Sequence, residues 1–215
     1  MAYPPKPNLE HDQGKIEALI RSYPFAHLFT SKDGAHDVTR LPFVLDIEGG
    51  KLVRLRAHMN AQNPQASVID GADILVAFSG PDSYVSPNWR MEANHGATWD
   101  YTAVHVWGRA TRRSERTFFA QLITDLAQNA EQRFEGVSER GAWTFSDAPE
   151  GYVDRLLPRL VSFEVEIERV EAISKLHQDF PREDAARVAE HLEKSGHFQS
   201  QSIAGLIKDR LRDDQ

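Results

Sequence analysis

From Lys51 to Met59 the chain alternates. Val53, Leu55 and Ala57 fall on one side, and Leu52, Arg54 and Arg56 on the other. A period of two predicts a strand with one face in a core. The Glu48-Gly49-Gly50 stretch just before it is a hairpin signal, so Val38–Ile47 reads as its antiparallel partner. Ala26–Ser31, closed by Lys32-Asp33-Gly34, predicts another strand and turn. Ile74–Phe78 is a continuous apolar run, the pattern of a fully buried strand. Thr102–Thr111 returns to strand, with His105, Trp107 and Arg109 sharing a face. Phe163, Val165 and Ile167 alternate with Glu164, Glu166 and Glu168 in a last strand, apolar inward and acidic outward.

Helical periodicity occupies the spaces between and after these runs. Gly14–Tyr23 places Ile16, Leu19 and Ile20 on one stripe and stops at Pro24. Asn63–Gly71 predicts a short helix with Pro64 in its first turn. Ser114 is placed to cap a helix whose apolar face is Phe118, Phe119, Leu122, Ile123 and Leu126. After Pro181, Ala185, Val188, Ala189 and Leu192 form a stripe, and a second helix follows over Ser202–Leu211. The first dozen residues read as an extended Pro-rich arm, and Gly80–Gly96 as a long loop. About six hairpin-linked strands with helices at the ends define a mainly β, α+β class. An antiparallel barrel and a generic α+β sandwich both satisfy this spacing.

Composition narrows the chemistry. The 215 residues contain no cysteine, which excludes disulfides, thiolate catalysis and Cys-based zinc sites. The nine histidines lack ligand spacing, so no metal site is expected. No phosphate-cradling glycine loop and no Gly-x-Ser-x-Gly elbow occurs. The net charge of −7 runs against a protein that lives by gripping nucleic acid. The one dense basic run is Arg109, Arg112, Arg113 and Arg116. The segment from Arg182 onward balances six basic residues with seven acidic ones. With no membrane-length apolar run and no secretory signal pattern, a cytoplasmic protein is expected.

Five ordered segments carry a family resemblance: Phe25–Asp46 (FAHLFTSKDGAHDVTRLPFVLD), Leu55–Gln65 (LRAHMNAQNPQ), Ile74–Trp89 (ILVAFSGPDSYVSPNW), Thr98–Ala110 (TWDYTAVHVWGRA) and Ser162–Asp179 (SFEVEIERVEAISKLHQD). Together they resemble the PaiB-like family of FMN-binding negative transcriptional regulators. The resemblance implies an FMN-binding split β-barrel of Greek-key type over residues 1–180, with peripheral helices and a helical appendage over 181–215. It also implies a homodimer with flavin sites in its interface. It departs from the family pattern at Arg90, Ala97 and Asp100, and again where Leu176-His177-Gln178-Asp179 stands.

FMN needs donors for a phosphate, a flat apolar slot for its ring, and hydrogen-bond partners at the ring's polar edge. The resemblance puts Thr39, Arg40 and Leu41 on the strand beside the flavin, and His58, Met59, Asn60, Asn63 and Gln65 in a phosphate-binding turn. A helix N-terminus there would offer free amides of its own accord. The plain alternatives are a surface cation at Arg40, a helix cap at Asn60 and a buried histidine at His58. Trp99 and Tyr101 suit a wall over a planar ring, as Tyr84 and Trp89 in the preceding loop also do, although such residues equally serve as core. Lys175 and Gln178 match the family's late motif. Three functions remain open on these residues: an FMN-binding regulator for which DNA is a partner, an FMN-dependent oxidoreductase acting on a small molecule, and a barrel that has lost its flavin.

Overall fold

At Gly49 and Gly50 both φ angles are positive, 56° and 77°. That is the backbone of the tight hairpin turn whose twist matches antiparallel strands. It joins β4 (Val44–Glu48) to β5 (Lys51–Asn60), which pair from Glu48↔Lys51 to Val44↔Arg56. The computed structural model describes residues 6–92, 95–137, 139 and 141–213. The other strands are β1 (Leu9–Glu10), β2 (Phe25–Lys32), β3 (Ala35–Pro42), β6 (Asp73–Val85), β7 (Thr98–Arg113) and β8 (Leu160–Lys175). They form one eight-stranded sheet in the order β3-β2-β6-β7-β8-β5-β4, with β1 added beside β8. Among the described residues, five α-helices accompany them: α1 (Gln13–Ser22), α2 (Arg116–Glu131), α3 (Tyr152–Leu156), α4 (Arg182–Lys194) and α5 (Phe198–Asp213).

The chain divides into two compact units. One comprises residues 20–78 and 105–170, and the other the described residues up to Leu19 together with Ser79–Val104 and Glu171 onward. The first of these holds the barrel core. Leu28, Leu55, Ala57, Val76, Phe78, Phe163 and Val165 are inaccessible to solvent. Phe43 makes edge contacts with Phe78 at 5.9 Å and Phe163 at 6.3 Å. On the other face of β5, Arg56 pairs with Asp46 at 2.6 Å and with Asp125 of α2 at 2.8 Å.

In the second unit α4 and α5 pack against each other through Val188, Ala189, Leu192, Ile203 and Ile207, joined by Val85 and Leu176. These two helices make up the segment expected as an appendage after residue 180. At ~1.5–3 kcal/mol for each buried aliphatic side chain, this cluster is a substantial local core.

Several elements differ from the pattern reading. The run Val38–Ile47 is two strands, β3 and β4, which interrupt at Phe43 and pair with different neighbours. The expected loop after Gly80 is strand as far as Val85. The β2 side of β6 is paired only from Leu75 to Ala77, so the amide missing at Pro81 costs no bond to β2. The helix expected over Asn63–Gly71 is a 3-10 turn of four residues, Pro64–Ser67. Glu115, not Ser114, precedes α2. Of the arm, residues 1–5 lie outside the described residues, and Lys6–Asn8 is a 3-10 turn leading into β1.

Candidate cofactor site

The candidates in the barrel unit gather where β3 faces the turn after β5. β3 is the terminal strand of the sheet and is exposed from Ala35 to Val38. Thr39 lies half-buried on it, and Asn63 Nδ2 donates to Thr39 Oγ1 at 2.8 Å. This contact brings the two segments into one polar corner. Asn60 and Asn63 also fold the turn on itself. Asn60 Oδ1 accepts from the Gln62 amide at 2.8 Å, and Asn63 Oδ1 from the Gln65 amide at 2.9 Å. The helix-terminus argument therefore does not apply: the helical turn is short and its first amides are already capped. Side-chain donors remain, namely the Asn60 amide group and the second N–H of Asn63.

Arg40 is exposed beside this corner. Its guanidinium lies 4.7 Å from the Phe25 ring centre and donates once, to the Phe25 carbonyl at 3.2 Å. A guanidinium carries five N–H donors, so most of its capacity is free for an anion. Leu41 and Met59 are buried core residues.

Gln65 is fully buried, and its Nε2 donates to the Leu28 carbonyl, Thr30 Oγ1 and the Asp37 carbonyl at 3.0–3.2 Å. It ties β2 and β3 to the turn and has no donor left over. His58 belongs elsewhere again. It shares the face of Arg54 and Arg56, where it meets the Phe119 ring of α2 at 6.0 Å. Burial holds its imidazole below the usual histidine range, and its Nδ1 has no hydrogen-bond partner.

The remaining candidates lie in the other unit. Lys175 Nζ donates to Thr98 Oγ1 at 2.5 Å and to the Trp99 carbonyl at 2.6 Å. Trp99 is 54% exposed and meets Tyr84, itself 45% exposed, at 6.2 Å. Tyr101 lies two residues further along the same side of β7 and is half-buried. Gln178 is engaged internally, accepting from the Leu176 amide and donating to the Ser174 and Pro7 carbonyls.

Close to these residues is a buried polar chain that the pattern reading did not assemble. Asp100 Oδ2 lies 2.9 Å from His177 Nδ1, and Arg90 Nε donates to His177 Nε2 at 3.0 Å. Arginine has no acceptor, so Nε2 takes the hydrogen bond and Nδ1 carries the proton given to Asp100. Phe180 stacks on the His177 ring at 4.4 Å and lies 4.0 Å from the Arg90 guanidinium. Arg90, Asp100 and His177 stand at the departures from the family pattern. That coincidence was the only signal of the cluster that the sequence held.

Within the barrel unit, the donor set around Thr39, Asn60, Asn63 and Arg40 suits a phosphate. Within the other unit, taken by itself, the exposed Trp99 and Tyr84 rings suit a planar group. The fold is a split β-barrel. A flavocytochrome, Anf3 from Azotobacter vinelandii, superposes with a TM-score of 0.55 at 17% identity, covering 77% of this chain and 68% of that one. The FAD and heme binding protein of Mycobacterium smegmatis does so at 0.54 and 15% identity, covering 83% and 79%.

The chain belongs to the family described as "Putative FMN-binding domain", which matches residues 2–169. Its relatives include an uncharacterised protein of Aspergillus fumigatus, 29% identical over 91% of this chain and 92% of that protein. The protease synthase and sporulation protein PAI 2 of Bacillus subtilis is 26% identical, covering 92% of each. Lys175, His177 and Gln178 lie beyond the matched range.

Proposed function

We propose that this protein binds FMN with its phosphate at the Thr39–Asn63 corner and Arg40, and that it acts as a homodimer in the cytoplasm. The observation that carries the reading is the corner itself. On an otherwise open terminal strand, Asn63 is locked to Thr39 at 2.8 Å beside a guanidinium with most of its donors free. Bound FMN would supply hydride and single-electron chemistry, and the chain's own residues would bind and orient it. The test is a titration of purified protein followed by flavin absorbance and fluorescence. Saturable binding is expected, weakened about tenfold, or ~1.4 kcal/mol, by Arg40→Ala and by Asn63→Ala. A colourless protein that leaves added FMN unquenched overturns the proposal.

Two uses of the flavin follow from the resemblance, regulation of transcription and oxidoreduction of a small molecule. The ion pairs weigh against the first. In the basic run, Arg109 pairs with Asp73 at 3.1 Å, Arg113 with Glu164 at 2.6 Å and Arg116 with Asp154 at 2.9 Å. Surface pairs of this kind add little stability, but they offset three of the four positive charges that a DNA backbone would meet there. Bleaching of bound flavin by a nicotinamide donor supports oxidoreduction. A gel shift whose salt dependence falls when the four arginines become alanine supports regulation.

A further inference from the structure

Most surface lysines carry a mobile charge. Lys175 does not, because two hydrogen bonds, to Thr98 Oγ1 and the Trp99 carbonyl, fix its ammonium. An ammonium has three donors, so one remains. No carboxylate pairs with it among the described residues. The entropy cost of ordering such a chain on binding has therefore been met in advance.

Trp99, whose backbone carbonyl the ammonium holds, and Tyr84 both carry exposed aromatic rings. Tyr84 and Trp99 are 6.2 Å apart with their planes at 76°, which makes them two walls of a corner. Trp89 extends the Tyr84 side at 6.4 Å and is itself stacked on His191 at 5.6 Å. The base of the corner is stiff. Asp100 adjoins Trp99 in sequence, His177 lies two residues after Lys175, and their buried 2.9 Å contact ties the two segments together. Arg90 and Phe180 close the same cluster from the other side.

We propose that this corner binds a planar aromatic anion, with its ring against Trp99 and Tyr84 and its negatively charged oxygen on Lys175. Edge or offset stacking supplies the flat contact, and a charge-assisted hydrogen bond supplies the anchor. The proposal does not require FMN to sit at the Thr39–Asn63 corner. Its ligand chemistry has two sources, the anionic edge of a flavin ring and a small aromatic carboxylate from solution.

Saturation-transfer NMR with benzoate and its neutral isostere benzamide tests this directly on the full chain. Benzoate is expected to bind, with benzamide at least tenfold weaker. Lys175→Met should abolish the benzoate signal, Lys175→Arg should retain it, and Trp99→Ala should weaken it several-fold. Lys51→Met, on the β4–β5 hairpin, should leave it unchanged. Equal binding of benzamide, or benzoate binding that survives Lys175→Met, overturns the proposal. Displacement of benzoate by FMN would identify the flavin ring as the source. Simultaneous binding would identify a separate small molecule. FMN that binds elsewhere while benzoate fails separates this proposal from the cofactor reading.

Discussion

His58 shows what one residue's surroundings decide. Its imidazole is pressed against Phe119 beneath α2, and burial favours the neutral form. The unfolded chain protonates near pH ~6.5, above the folded group's range. Stability from this site is therefore complete above that pH, and declines as pH falls from there toward the lower folded value. Thermal unfolding between about pH 7 and pH 5 should show a decline that His58→Leu flattens. Equal declines in both proteins would remove the effect from His58.

The sequence placed this residue with Asn60 and Asn63 because they are neighbours in the chain. Alternation along β5 put its side chain on the face of Arg56, and the helix covering that face comes some sixty residues later. Gln65 meets the same limit. Its three partners on β2 and β3 are 28 to 37 residues away, and no local pattern reports them. The placement of Thr39 and Arg40 on an edge strand and of Asn63 as an Asx cap is local, and that much a sequence pattern can report.

Among the elements, the amphipathic strands and helices were readable wherever one face meets a core. The alternation of β5 and β8 and the stripe of α4 all reappear in the structure. Breaks and extensions were harder. At Pro42-Phe43 the chain changes pairing partner, and at Pro81 it stays in strand, so the same residue type carried opposite meanings. Which applies depends on what pairs alongside, and that is a property of the sheet.

β7 and β8 give the sharpest mechanical prediction at this scale. A Cβ at Gly108 would sit 2.0 Å from the Glu166 carbonyl oxygen, a backbone atom that no side-chain rotation can move. Gly108→Ala should therefore separate the strands locally and cost about 3 kcal/mol, measured as a lower urea midpoint. A change within ~0.5 kcal/mol would show that the two strands yield there without cost.

For the molecule as a whole, the exposed apolar pair on β2 and β3 is where the proposed dimer can be tested. Phe29 and Val38 are register partners, so their side chains point to the same side, and they are 39% and 55% exposed. Val38→Glu should shift the native mass from twice the 24.3 kDa chain toward one chain. A monomeric wild-type protein would remove the dimer from the proposal. The family could be read at this scale because its segments occur in order along most of the chain. The Arg90–His177–Asp100 chain could not, since its members are widely spaced and acquire meaning only when folded together.

The exposed strand β3 carries one more consequence. A long unpaired edge invites other chains to add to it and grow into aggregates. Here Lys32 and Asp33 at the turn, and His36, Asp37 and Arg40 along the strand, place charged or polar groups at intervals on that edge. A casual neighbour would have to strip water from them, whereas a partner with matching charges would not. The open edge is thus guarded against indiscriminate growth while staying available to a selective contact.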